Sequence, residues 1–253
     1  MRRAYCMLKE SIAKRHDAFI EGLLAAGYAA SCGYPKQACA GDVLLLWNRR
    51  GEEEKIADKF ENAGGSVLVA ENCYVGHGYY ALARRYHNGG GEELIDDPNR
   101  VEKLGVEISS WRSEGGHVLV CPNRFIGPRR ALMPSDWADQ TALRIRALTG
   151  REARVRPHPG RLKNERRSLL EDLAGAWACV VWWSTAGVTA LLAGVPVIYR
   201  APWWIASIAA GTDLDQLVTP RYGDREAALR RIANSQFTAE EIASGLPFMG
   251  IAQ

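Results

Sequence analysis

Apolar residues in this chain gather in short unbroken runs, and stretches with apolar positions three and four apart follow most of them. The runs "AYCML", "DVLLLW" and "SVLVAEN" are separated by "DAFIEGLLAAG" and "EEEKIADKFENAG", and "HVLVCPN" is followed by "DWADQTALRIRALTG". The second half continues with "ARVRP", "RRSLLEDLAGAW", "CVVWW", "TAGVTALLAG", "VPVIY" and "DREAALRRIA". Continuous apolar strands alternating with amphipathic helices predict an α/β protein with parallel sheets covered on both faces. The rhythm thins between Gly76 and Gly116, where "YHNGGGEELIDDPN" collects turn-forming residues. The expected organisation is two Rossmann-like halves, residues 1–115 and 116–235, with parallel sheets facing a central cleft, then a C-terminal helix and tail over 236–253. In that tail Thr238 is the expected N-cap, Glu241 completes a capping box, and Gly245 and Pro247 stop the helix.

Ligands of open α/β sheets bind beyond the carboxyl ends of the strands, and that rule sorts the polar residues. His16 and Asp17 follow the first run and open the first helix. Asn48 and Arg49 follow "DVLLLW", Glu71 and Asn72 end "SVLVAEN", and Asn123 and Arg124 end "HVLVCPN". His158 ends "ARVRP", while Ser184 and Thr185 end "CVVWW". All are expected to face one crevice between the halves.

The most informative stretch is "WWSTAGVTALLAGVPVIY". A strand stops at Ser184 and Thr185, a helix starts at once, and Gly187 lets backbone approach a ligand closely. Hydroxyls and free N–H groups at a helix start suit a phosphate, though capping the helix is a commoner role for Ser or Thr. His158 stands between Pro157 and Pro159, which fix two φ angles and remove two backbone donors. An imidazole held in such a corner, beside Arg156 and Arg161, suits a phosphate bound by charge and hydrogen bonds. A histidine packed into a turn is the plainer alternative.

Composition narrows the class. The 253 residues are 47% hydrophobic with a net charge of +3, an ordinary globular balance, but basic residues crowd the segment from Arg124 to Arg167. That local excess points to an anionic partner or to a solvated face. The six cysteines form no C-x-x-C pair and lie mostly in apolar runs, so reduced thiols and a cytoplasmic location are expected. Lys9 and Glu10 interrupt the first apolar run too early for a signal peptide, and no run is long enough for membrane insertion.

The segment from Arg151 to Trp204, through "RPHPG" and "LLEDLAGAWACVVWWSTAGVTALLAGVPVIY", resembles the donor-binding half of GT-B glycosyltransferases of the capsule and polysialic acid type. In that family an "HP" and a Ser/Thr motif hold the donor's phosphates, which implies such a role for His158, Pro159, Ser184 and Thr185. Thr189 stands where those enzymes usually carry a glutamate. A broader resemblance, through "RHDAFIEGLLAAGY", "DVLLLWNR", "FENAGGSVLVAEN", "YHNGGG" and "EIASGLPF", is to phage and prophage glycosyltransferase-like proteins, some linked with sugar addition to hydroxymethylated pyrimidines in DNA.

Sugar transfer needs a base for the acceptor hydroxyl and stabilisation of the departing phosphate. Asp17 is the first candidate for the base, with helix capping as its plainer role, and His16 is its nearest rival. Glu71, His77 and His87 follow, with Asn48, Arg49 and Asn72 as further acceptor-side candidates. Arg124 and Arg156 join His158, Ser184, Thr185 and Gly187 on the donor side, with Arg129 and Arg130 behind them. Tyr199, Trp203 and Trp204 suit stacking on a base or packing in a core. The histidines are scattered without ligand spacing, so no metal is expected, and "DLD" at Asp213–Asp215 reads as a helix cap. The implied activity is metal-independent hexosyl transfer from a nucleotide-sugar, expected to be a UDP-sugar, with no cofactor. The first expected acceptor is 5-hydroxymethylcytosine or another hydroxymethylpyrimidine in DNA. The alternatives are a capsule or lipopolysaccharide sugar, and a non-catalytic nucleotide or nucleic-acid binding module.

Overall fold

The computed structural model describes residues 2–35, 37–124, 126–158, 167–220 and 222–251. The elements in chain order are β1 (Arg3–Cys6), α1 (Ala13–Ala25), β2 (Ala29–Cys32), β3 (Val43–Trp47), α2 (Gly51–Asn62), β4 (Ser66–Asn72), β5 (Tyr79–Arg84) and α3 (Arg100–Lys103). They continue with β6 (His117–Cys121), α4 (Trp137–Thr149), β7 (Glu152–Val155), α5 (Leu169–Leu173), β8 (Ala176–Val181), α6 (Thr185–Leu192), β9 (Val197–Tyr199), α7 (Arg225–Asn234), β10 (Gln236–Thr238) and α8 (Ala239–Ala243). The chain divides into two compact units. One comprises Met1–Leu104, Gly127–Arg129 and Arg231–Gln253, and the other Gly105–Ile126 and Arg130–Arg230. The change of unit thus falls at Leu104, ahead of the 115/116 boundary expected from the loss of rhythm. The residues after Arg230 return to the first unit instead of forming a separate tail, because β10 joins its sheet.

The first unit holds a six-stranded sheet in the order β10-β5-β4-β3-β1-β2. Strands β2, β1, β3 and β4 run parallel, whereas β5 and β10 are antiparallel additions at one edge. Along β3 the side chains alternate between two cores. Val43 and Leu45 pack with Phe19 and Leu23 of α1 and Ile242 of α8, while Leu44 and Leu46 pack with Ala57 and Phe60 of α2. This two-sided burial is why the strand reads as an unbroken apolar run, and each such side chain contributes about 1.5–3 kcal/mol. Helix α8 begins at the expected capping box of Thr238 and Glu241. It lies against α1 at Gly22, where a Cβ would stand 1.9 Å from the carbonyl oxygen of Ile242. Arg100 ties the returning chain down: buried, it pairs with Glu241 at 2.7 Å and donates to the carbonyls of Ala233 and Gln236.

The second unit holds a four-stranded sheet, all parallel, in the order β7-β6-β8-β9. Val118, Val120, Ala178 and Val180 on one face pack with Trp137, Ala142 and Ile145 of α4. The α/β class, with two halves built around parallel strands and a C-terminal helix, is the architecture expected from the sequence, and the antiparallel edge of the first sheet is the departure from it. Among the described residues no helix is long and apolar enough to cross a membrane.

Candidate functional site

In the second sheet β7 is added on one side of β6 and β8 on the other. The connections therefore leave in opposite directions, and the carboxyl ends of β6 and β8, where they part, are the usual ligand position in such sheets. Asn123 and Arg124 follow β6, and Ser184 follows β8 within three residues of Val181. His158 follows β7. Strand β6 lies between β7 and β8, which sets the carboxyl ends of those two strands about 10 Å apart, two strand spacings. His158 and Arg124 are nevertheless close enough to interact. Partial loss of solvent, then the Arg124 charge, lowers the His158 pKa below the ordinary imidazole value. Both residues are exposed.

Ser184 is the N-cap of α6, and its side chain accepts from the Ala186 N–H at 3.2 Å. The capping role is therefore real, and the N–H of the exposed Thr185 stands beside it at the helix start. Thr189 donates to the Thr185 carbonyl at 3.4 Å. Gly187 differs from expectation. A Cβ there would stand 2.8 Å from the Trp204 ring, so the missing side chain makes room for a core tryptophan and not for a ligand. Trp204 is fully buried and packs with Tyr199, their centroids 5.7 Å apart; Trp203 packs with Trp183.

Arg156 is also reassigned. It forms an ion pair with Asp172 and donates to the Arg167 carbonyl at 2.9 Å, so its charge is committed within the unit. The same holds for much of the basic segment: Arg144 pairs with Asp215, Arg154 with Glu152, and Arg151 lies over Trp177. Asp213 caps a turn of 3-10 helix through a capping box with Gln216, the role expected for "DLD". Pro159, Arg161, Lys163 and Arg166 lie outside the described residues.

The first sheet repeats the topology. Strand β2 lies on one side of β1 and β3 on the other, so the switch falls at the carboxyl ends of β1 and β3. Helix α1 begins at Ala13, so His16 and Asp17 occupy its fourth and fifth positions and Asp17 does not cap it. His16 is buried, with Nδ1 3.3 Å from the carboxylate of the exposed Asp17 and Nε2 3.4 Å from Cys32 Sγ. Glu10, in the loop after β1, completes a group whose ligand-type atoms with those of His16 and Cys32 all lie within 4.8 Å of one another. Partial burial and the Glu10 carboxylate both raise the Cys32 thiol pKa. The expectation of no metal site rested on histidine spacing alone; the fold assembles this donor set from a loop, a helix and a strand end.

The remaining first-unit candidates separate sharply. Arg49 is completely buried, pairs with Asp58 at 2.5 Å and Glu61 at 2.8 Å, and lies over Tyr86, so it holds the fold together instead of meeting an acceptor. Asn48 takes a left-handed turn, φ 64°, and its N–H donates to the Ala70 carbonyl. Asn72 is exposed at the end of β4, opposite Tyr80. Glu71 and His87, distant in sequence, are brought together at 3.6 Å, with Tyr74 donating to Glu71 at 2.5 Å and the Asn88 N–H donating to Tyr74 at 2.7 Å. Burial raises the pKa of Glu71, partly offset by His87. Arg15 was not singled out from the sequence because arginines on amphipathic helices normally face water. Here it is buried, its guanidinium 3.8 Å from the Trp47 ring centroid, with no carboxylate paired to it among the described residues. Its Nε has no hydrogen-bond partner among the described residues, and burial lowers its pKa.

Two solved structures from Thermosulfurimonas dismutans resemble the chain. KpsC, β-Kdo 2,7 transferase, superimposes with a TM-score of 0.58 over 97% of this chain and 98% of that one, at 13% identity. The fold is one that Kdo transferases adopt. KpsC, β-Kdo 2,4 transferase, gives a TM-score of 0.51 over 93% of this chain and 90% of that one, at 15% identity. In sequence the chain matches no family model and no curated protein. The likeness to the Kdo transferases carries the fold; the chemistry must come from the residues.

Proposed function

We propose that the chain is a glycosyltransferase whose second unit binds the phosphate of a nucleotide-sugar and whose first unit supplies the base for an acceptor hydroxyl. The observation that carries the proposal is position: Arg124, His158 and Ser184–Thr185 each follow the carboxyl end of one of three neighbouring parallel strands, and Arg124 is near enough to His158 for its charge to act on the imidazole. These groups offer a guanidinium, an imidazole, a hydroxyl and backbone N–H groups, the donors an anionic leaving group requires. The fold shared with two Kdo transferases supports the same reading.

In the proposed reaction the acceptor oxygen bonds to the anomeric carbon as the bond from that carbon to the phosphate oxygen breaks. The electron pair leaves on the phosphate, where Arg124 and protonated His158 stabilise it. Asp17 takes the hydroxyl proton. Its neighbour His16 acts as a positioning residue, holding one carboxylate oxygen through Nδ1–H while the other meets the acceptor. Transfer through these groups needs no metal at the leaving group. Arg15, buried and with no acidic partner among the described residues, suits an anionic acceptor.

A saccharide acceptor is the first reading, supported by the fold shared with two structures named as Kdo transferases, and a hydroxymethylpyrimidine in DNA is the second. The test is incubation with UDP-sugars and activated Kdo, each with oligosaccharides and with DNA containing 5-hydroxymethylcytosine or 5-hydroxymethyluracil, followed by mass analysis. A sugar-sized mass gain on an oligosaccharide supports the proposal. A gain on the modified base transfers it to DNA. No gain with any pair, and no nucleotide binding by the folded protein, overturns it.

A further inference from the structure

We infer that Glu10, His16 and Cys32 form a zinc-binding site at the carboxyl edge of β1 and β2. The inference stands on geometry and donor chemistry within the first unit and holds whatever reaction the chain performs. Carboxylate oxygen, imidazole nitrogen and thiolate sulfur are the ligand types zinc takes, and three protein ligands with one open position form a recurring arrangement.

Zinc bonds of about 2.3 Å to sulfur and 2.0–2.1 Å to nitrogen, at a tetrahedral angle, place the two ligand atoms about 3.5 Å apart. Cys32 Sγ and His16 Nε2 are 3.4 Å apart. All three ligand atoms lie within 4.8 Å of one another, and Glu10 is an exposed side chain on a loop, free to close the remaining gap by rotation. His16 is the fixed member, buried and set in α1.

The imidazole is also oriented for a metal. Its Nδ1 faces Asp17 at 3.3 Å, so the proton belongs there and the Nε2 lone pair points toward Cys32. A carboxylate behind a histidine is the usual support of a zinc-bound imidazole. Charge agrees: one dication with a carboxylate and a thiolate is neutral overall, so the site tolerates the buried Arg15 guanidinium at the adjacent position of the helix. A bound zinc would lock the His16 tautomer that holds Asp17.

The experiment is a cobalt(II) titration of the purified, chelator-treated full chain under reducing conditions, with zinc competition. The expected result is one cobalt per chain, visible bands of a four-coordinate ion, a thiolate-to-cobalt charge-transfer band in the near ultraviolet, and displacement of all three by zinc. Cys32→Ser should abolish the charge-transfer band. Asp17→Asn should keep the band and weaken binding by about 10-fold to 100-fold. Cys39→Ser, altering an exposed thiol that accepts from Arg3, should leave the spectrum unchanged. The inference is overturned if the folded wild-type chain shows no charge-transfer band at saturating cobalt, or if the band survives Cys32→Ser. The short Cys32–His16 contact is then a thiol–imidazole hydrogen bond. Thermal unfolding of each variant without metal verifies that lost binding is not lost folding.

Discussion

The carboxyl edges of the two sheets share a topology and differ in how their ionisable groups are used. In the first sheet Arg49 is enclosed by Asp58, Glu61 and Tyr86, and Glu71 is held by Tyr74 beside His87. In the second sheet Arg124 and His158 are exposed, and the effect of Arg124 on His158 is to disfavour its protonated form. A buried cation ringed by acids is already neutralised and has little left for a ligand. An exposed arginine keeps its charge within reach of an anion, and an anion bound there would also favour the protonated form of the neighbouring imidazole. Position beyond a strand nominates a residue; the counter-charges around it decide whether it serves the fold or a ligand.

Substitutions sharpen that contrast. The largest loss of function is expected from Asp17→Asn, which removes the proposed base at little cost to folding because the residue is exposed. Turnover should fall about 10²-fold to 10⁴-fold with the donor KM unchanged, measured by initial rates. The largest loss of stability is expected from Arg49→Met, which removes a fully buried guanidinium together with its ion pairs to Asp58 and Glu61 and its contact with Tyr86: about 3–5 kcal/mol by urea unfolding. Arg124→Met is its counterpart, with stability within about 0.5 kcal/mol of wild type and a donor KM raised roughly tenfold or more. Equal stability losses for the two arginine variants would erase the distinction between the edges.

The smallest effect separates burial from charge at Glu71. Its folded pKa is raised above the unfolded value, so the folded state holds the proton more tightly. Stability from this group is present below the unfolded pKa and is lost as pH rises through the folded pKa. Glu71→Gln keeps an acceptor for Tyr74 and should flatten the dependence of unfolding free energy on pH above the usual carboxylate range. An unchanged slope would show that Glu71 ionises as freely in the folded chain as in the unfolded one.

Legibility from the sequence followed the same division. The runs "DVLLLW", "SVLVAEN" and "HVLVCPN" announced β3, β4 and β6 because two-sided burial removes polar alternation. Strand β2 is half exposed and β10 only three residues long, so neither produces a pattern, and with β10 unseen the return of the chain to the first unit was hidden. Ser184 and Arg124 stand just after strand ends, where the sequence placed them. Arg49 and Arg156 were found by the same rule and misjudged, because the acids that neutralise Arg49 come from α2 and the one that neutralises Arg156 from α5. Gly187 misled for a related reason: the approaching ring is Trp204, seventeen residues along the chain. The Glu10–His16–Cys32 group has no linear spacing to recognise, since it is made by the parallel pairing of β1 with β2 beneath α1.

The most direct test of the proposed phosphate site is the titration of the His158 imidazole by NMR, with and without UDP, its signal among the five histidines assigned by loss in His158→Gln. In the free protein the pKa should lie below the ordinary histidine value, as partial loss of solvent and Arg124 require. Bound phosphate should raise it, and nucleotide affinity should weaken as pH climbs through the raised value. A His158 titration unchanged at saturating UDP would contradict the account.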